Sequence, residues 1–147
     1  MSEFPTASPA QPSASAELDW RQLAQPDALL RWMDSQGLGS GPIEHAQMLT
    51  GGTQNLLLRF ERAGRAYVLR RPPLHPRMDG NAIMQREIRA LGAIAHTDVP
   101  HPGLIAGCLD PSVIGCMFYL MEPVDGFNAA VGMPALHAGD PAVRHAM

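Results

Sequence analysis

The 147-residue sequence predicts an α+β fold: a five-stranded, mostly antiparallel sheet with one long helix packed on it, preceded by an N-terminal helix. Three observations lead there. Short apolar-rich segments recur five times, at residues 43–49, 56–61, 66–71, 104–109 and 115–122. A single amphipathic helical pattern, over residues 79–95, interrupts them. Parallel strands need a crossover connection, usually a helix, so five strands sharing one internal helix must pair mostly antiparallel.

Taken in order, residues 1–17 are rich in Ser, Ala and Pro, with Phe4 as the one large side chain that could anchor them. Such a segment buries too little to offset its ordering entropy, and a disordered tail is expected. Residues 18–40 form an N-terminal helical segment. The helical pattern runs from Leu18 to Gln36, with Pro26 suited to a first turn, Asp27 at the positive end of the helix dipole, and Gly37 as the stop. The next unit, 41–126, holds the sheet. Ile43–Leu49 is the first strand and ends at Thr50-Gly51-Gly52. Leu56–Glu61 is the second, and Ala63-Gly64-Arg65 turns it into the third, Ala66–Arg71. Pro72-Pro73 ends pairing, so 72–78 is loop. In the helix from Asp79 to Ala95, Ile83, Met84, Ile88, Leu91, Ile94 and Ala95 form the apolar face, with Arg86 and Arg89 opposite. Val99-Pro100-His101-Pro102 breaks it, and the last two strands flank an Asp110-Pro111 turn.

Composition excludes several functions. A net charge of −3 gives no footprint for nucleic acid or an anionic membrane. The scattered Arg70, Arg71 and Arg77 around Pro72-Pro73 lack the aromatic residues of a stacking platform. Cys108 and Cys116 give neither a disulfide framework nor metal spacing, and read as buried thiols on neighbouring strands. His96, Asp98 and His101 lie close in sequence but without zinc-ligand spacing. No run of about 18 apolar residues and no secretory leader pattern occurs, so a cytoplasmic location is expected. All eleven basic residues are arginines. Any site that ordinarily uses lysine must use arginine here.

One residue breaks the pattern of the long helix. At about 100° per residue, Glu87 falls inside the apolar arc between Ile83, Met84, Leu91 and Ile94. Either this edge of the helix is solvated, or the carboxylate lies on a buried face, where it is costly unless paired. Arg70 is the obvious partner, because strand alternation puts it on the same face as Val68. A guanidinium so paired keeps donors to spare for phosphate oxygens. Gly51, Gly52, Thr53, Gln54 and Asn55 at the preceding turn fit two readings: a plain glycine hairpin, the commoner use of Gly-Gly between strands, or a phosphate-approaching loop in which glycines allow close backbone approach and Thr, Gln and Asn add donors.

The order of a glycine hairpin, a strand ending in a cation, a helix with an inward acid and a final Met121-Glu122-Pro123-Val124-Asp125-Gly126 resembles the N-terminal lobe of a protein kinase-like fold. More narrowly, LTGGTQNLLLRF, YVLRRPP, REIRAL, TDVPHP and FYLMEPVDGF resemble the aminoglycoside phosphotransferase and choline kinase-like family, in particular the branch fused to acyl-CoA dehydrogenases. The resemblance covers about residues 43–127. It implies an ATP-binding lobe of a small-molecule phosphotransferase that acts on a hydroxyl acceptor. Gly51 to Asn55 would lie over the phosphates, and Arg70 would touch them under the control of Glu87. Val68 would roof the adenine pocket and Met121 would stand behind it. The Glu122 carbonyl and the Val124 amide would bond the adenine edge. Mg would be held by acidic residues of a second lobe, of which residues 127–147 would be the start. Leu136-His137-Ala138-Gly139-Asp140 comes too soon after Val124, and lacks the following Asn, to be that family's catalytic loop. The chain is therefore expected to be inactive alone, with an apolar underside left for a C-terminal lobe or for self-association.

Overall fold

A computed structural model describes residues 19–49, 56–75 and 78–124, together with Gly139. The expected tail, the Gly51–Asn55 loop, Arg77 and the pentapeptide around His137 lie outside these, apart from Gly139 itself.

Two short helices take the place of the single one expected before the sheet. Helix α1 is Trp20–Ala24 and α2 is Pro26–Ser35, broken at Gln25, which has φ 44°. The proline ring disfavours right-handed helical geometry in the residue before it, so Pro26 starts one helix by ending another. Helix α2 stops as its glycine requires. Gly37, at φ 69°, donates to the Asp34 carbonyl, and Leu38 donates to that of Met33. These are the paired bonds of a Schellman cap.

Strands β1 (Glu44–Leu49), β2 (Leu56–Arg62) and β3 (Arg65–Arg71) form a meander. Ala63 and Gly64, both at positive φ, make the two-residue turn between β2 and β3. Helix α3 (Gly80–Ile94) follows, capped by the Asp79 carboxylate, which accepts from the Ala82 amide at 3.1 Å. Strands β4 (Leu104–Cys108) and β5 (Phe118–Met121) complete a sheet ordered β1-β2-β3-β5-β4, with every pair antiparallel. The fold is α+β, as the spacing of the elements predicts.

The two sheet faces are unlike. Leu58, Phe60, Tyr67, Leu69, Phe118 and Leu120 point to one side and pack beneath α1 and α2. Phe60 stacks on Tyr67, its register partner, and Trp32 of α2 meets Phe118 edge-on. Two arginines on this side spend their charge on architecture. Arg62, 2% exposed, bonds Asp34 and the carbonyls of Leu38 and Gly41, fastening α2 and its following loop to the sheet. Arg71 donates to the Leu23 carbonyl at 2.6 Å, holding the end of α1. Both cysteines are buried, with Cys108 in β4 and Cys116 two residues ahead of β5.

The other face carries α3, which packs on β4 and β5. Gly107 of β4 is where the approach is closest: a Cβ there would stand 2.9 Å from Ile88 Cδ1. At the other end, the Asn81 side chain accepts from the Met117 amide and pins the first turn to the start of β5. The apolar arc is buried less fully than its pattern predicts. Met84 is 1% exposed, Ile88, Leu91 and Ile94 are half-buried, and Ala95 is exposed. A helix laid mainly across two strands covers one line of side chains rather than a broad stripe.

Candidate functional site

The site face is assembled by register. Val68 stands opposite Met121 and Arg70 opposite Tyr119, across the β3–β5 pair. Alternation turns all four toward α3 and away from the core beneath α1 and α2. Val68 is 3% exposed and Met121 is half-buried. An apolar floor therefore lies beside the charged position, two strand residues or about 7 Å away.

Arg70 and Glu87 meet as the sequence predicts. Arg70 Nε donates to Glu87 Oε2 at 2.6 Å, and Nη2 donates to Oε1 at 2.5 Å. This is the two-pronged geometry that only a guanidinium offers a carboxylate. The arginine side chain is 12% exposed and the glutamate 30%. Burial on its own would raise the Glu87 carboxyl, but the hydrogen bond and charge of Arg70, with a bond from Tyr119, hold it below its ordinary value. Burial likewise works against the Arg70 cation, and the bond and charge from Glu87 reverse that. Two of the five guanidinium N–H groups are committed to Glu87, leaving the Nη1 edge as a donor surface.

A third member was not found by sequence reasoning. The Tyr119 hydroxyl donates to Glu87 Oε2 at 3.0 Å. Its ring is buried, and burial first, then the neighbouring carboxylate against the opposing pull of Arg70, pushes the phenol up to about 12. Alternation within β5 would have put Tyr119 on the face of Met121, but only the β3–β5 register places it against Arg70.

The segment after β5 carries Glu122 and Val124, the positions that the family resemblance implies for the adenine edge. The Glu122 amide is spent on the Gly103 carbonyl at 2.8 Å. Its own carbonyl and the Val124 amide have no backbone partner among the described residues. Val124 is 67% exposed. A Cβ at Gly103 would meet only the Glu122 side chain, 2.5 Å from its Oε2, and that carboxylate, 61% exposed, can swing aside. Arg65 lies 3.7 Å from the other oxygen of that carboxylate, an exposed pair of little energetic weight. Gly51, Gly52, Thr53, Gln54 and Asn55 lie outside the described residues, directly ahead of β2. Among the described residues no group of three or more His, Cys, Asp or Glu side chains comes together, and His96, Asp98 and His101 form no such group.

Fold and site together define a kinase-like lobe: an antiparallel sheet whose third strand presents a cation clamped by the glutamate of the following helix. The sequence profile of the phosphotransferase enzyme family (APH) matches residues 45–145, more than half of the chain, and the chain belongs to that family. It is 36% identical over 87 residues to acyl-CoA dehydrogenase family member 10 of Mus musculus, covering 59% of this chain and 8% of that protein. It is 41% identical over 61 residues to the probable acyl-CoA dehydrogenase IBR3 of Arabidopsis thaliana, covering 41% of this chain and 7% of the relative. A crystal structure from Ralstonia eutropha, assigned as an aminoglycoside phosphotransferase, superposes with a TM-score of 0.56 at 35% identity, over 69% of this chain and 28% of that one. The chain thus spans less than a tenth of the length of these curated relatives.

Proposed function

We propose that this chain is the ATP-holding lobe of a small-molecule phosphotransferase, which moves the γ-phosphate of ATP to a hydroxyl of its acceptor. The observation that carries the proposal is the fork between Arg70 and Glu87, which leaves the Nη1 edge without a bond to Glu87 on the sheet face that Val68 and Met121 share. Phosphate oxygens are the ligand such an edge fits best. In this reading the amides from Gly51 to Asn55 cover the phosphates and Arg70 binds them. Adenine lies under Val68 with Met121 behind it, bonded at its edge by the Glu122 carbonyl and the Val124 amide.

Phosphoryl transfer also needs Mg²⁺ and a base for the attacking hydroxyl. We assign both to a second lobe, where the resemblance to kinase-like phosphotransferases implies them. Exposed apolar residues such as Leu49 and Val124 are what that lobe, or a second copy, would cover. A nucleotide-binding or protein-interaction module without chemistry would use the same contacts, and the acceptor would then be absent altogether. A cytoplasmic setting, where ATP is abundant, suits either reading.

Calorimetric titration with ATP tests the proposal. The chain is expected to bind saturably, and Arg70→Ala to weaken binding roughly 10–100-fold, the loss of a charge-assisted bond. Absence of binding, or equal binding by the variant, refutes the nucleotide site. A coupled phosphotransfer assay should give no turnover from these 147 residues. Turnover abolished by Arg70→Ala would refute the division of labour between lobes.

A further inference from the structure

We propose that Tyr119 is a positioning residue of this site: its hydroxyl holds Glu87 against the sheet, so that Arg70 keeps its free edge turned toward the nucleotide phosphates. The inference rests on the nucleotide reading above and adds to it the group that fixes the clamp.

The geometry makes the case. Glu87 stands on a helix that covers the sheet along a narrow line, and its side chain is 30% exposed, so rotation outward is open to it. Arg70 alone would be a poor restraint, because a phosphate competes with the carboxylate for the same cation. Tyr119 is a restraint of another kind. It lies on β5 directly opposite Arg70, is 4% exposed, and donates to Oε2, the same oxygen that accepts from Arg70 Nε. A buried phenol on a central strand has few torsions and nowhere to go. Its bond to Glu87 is separate from the fork, although the phenol also lies close enough to Arg70 to feel its charge. When phosphate draws on Arg70, the carboxylate therefore stays on the sheet, and the fork keeps its plane. A tyrosine present only to fill space would need no hydroxyl at this point.

The test is titration of the full chain with two probes, ATP and adenosine, for the unaltered protein, Tyr119→Phe, Arg70→Ala and the double variant. Tyr119→Phe removes one oxygen and keeps the ring. It is expected to weaken ATP roughly 3–10-fold, the worth of one hydrogen bond, and to leave adenosine binding unchanged. In the Arg70→Ala background it should cost nothing further, because it acts through Arg70. Equal ATP affinity, a matching loss for adenosine, or full additivity with Arg70→Ala overturns the inference. If Arg70→Ala weakens ATP and Tyr119→Phe does not, this inference fails and the nucleotide site stands. If Arg70→Ala has no effect, both fail. Should Tyr119→Phe not fold, carbon-13 NMR of the tyrosine ζ-carbons compares the unaltered chain with Glu87→Gln. Burial raises the Tyr119 phenol in any case, and Glu87 raises it further, so the phenol should titrate lower in Glu87→Gln than in the unaltered chain; equal titration in the two overturns the inference.

Discussion

Gly107→Ala tests how the site is held from a distance. The new methyl would stand 2.9 Å from Ile88 Cδ1, 3.0 Å from Cγ2 and 3.2 Å from Cγ1. Ordinary contact begins at 3.4 Å, so relief needs a shift of about half an ångström. Two of the three atoms are close to the backbone, and a β-branched residue in a helix has one favoured rotamer. Ile88 cannot swing aside, and α3 must recede. Overpacking of this kind costs about 1–3 kcal/mol, while removing a strand glycine returns about 0.5–1 kcal/mol. The net loss is about 1 kcal/mol, or roughly 4–8 °C in Tm for a domain of this size. Glu87 is the residue next to Ile88, so the fork opens with the helix, and ATP affinity falls while the residues that would contact nucleotide are untouched. Thermal denaturation and ATP titration measure the two effects. Adding Ile88→Ala makes room for the methyl, so the double variant should be more stable than the two single losses predict, with a coupling of about 1 kcal/mol. An unchanged or higher Tm for Gly107→Ala, or strict additivity with Ile88→Ala, would refute the claim that this glycine sets the height of α3.

Two further expectations follow from single positions. Ala63 occupies the first central position of the β2–β3 turn at φ 52°, a region that suits asparagine better than alanine. Ala63→Asn should raise stability by about 0.5–1 kcal/mol in thermal or urea denaturation, and no gain would refute the turn assignment. The Glu87 carboxyl is held below its usual 4.5 by Arg70 against the effect of burial, so its contribution is complete above that value and is lost as pH falls through the lowered one. Stability should therefore drop below about pH 4.5, and Glu87→Gln should flatten part of that drop, so identical acid profiles would count against the pair. On the alkaline side the sign reverses: Tyr119, pushed up by burial to about 12, favours the folded state below pH 10 and loses that contribution between the two values.

The pairing of Arg70 with Glu87 was legible because each half obeys a local period. Alternation along β3 fixed the face of the arginine, and helical phase fixed that of the glutamate. Strand positions were legible for the same reason, within one to three residues at each end. What escaped depends on contacts between segments far apart in sequence. Tyr119 reads as one more apolar residue of a buried strand until β5 is laid beside β3 in register. Gly107 reads as a weak point in β4 until Ile88 is above it. Arg62 looks like a solvated strand end, yet it is buried because three acceptors from α2 and the loop after it converge there. The break at Gln25 was within reach: the steric demand of Pro26 on its predecessor is local, and it acts against a continuous helix as surely as it favours a new start.

Neighbouring arginines on β3 show what a chain without lysine gains and gives up. Arg71 points to the core and gives its donors to the carbonyls of Leu23 and Pro72, while Arg70 points the other way and meets a carboxylate. An ammonium could supply charge at position 70, but as a point donor on a flexible stem it would leave the direction of its remaining bonds unset. The guanidinium is planar. Once Nε and Nη2 are fixed on the two oxygens of Glu87, the plane and the outward edge are fixed with them. In the proposed site, Glu87 would therefore determine where a phosphate can bind as well as neutralising a charge. Each restraint on the carboxylate, the Tyr119 hydroxyl and the seat of Ile88 over Gly107 alike, would act on the proposed ligand through that one plane.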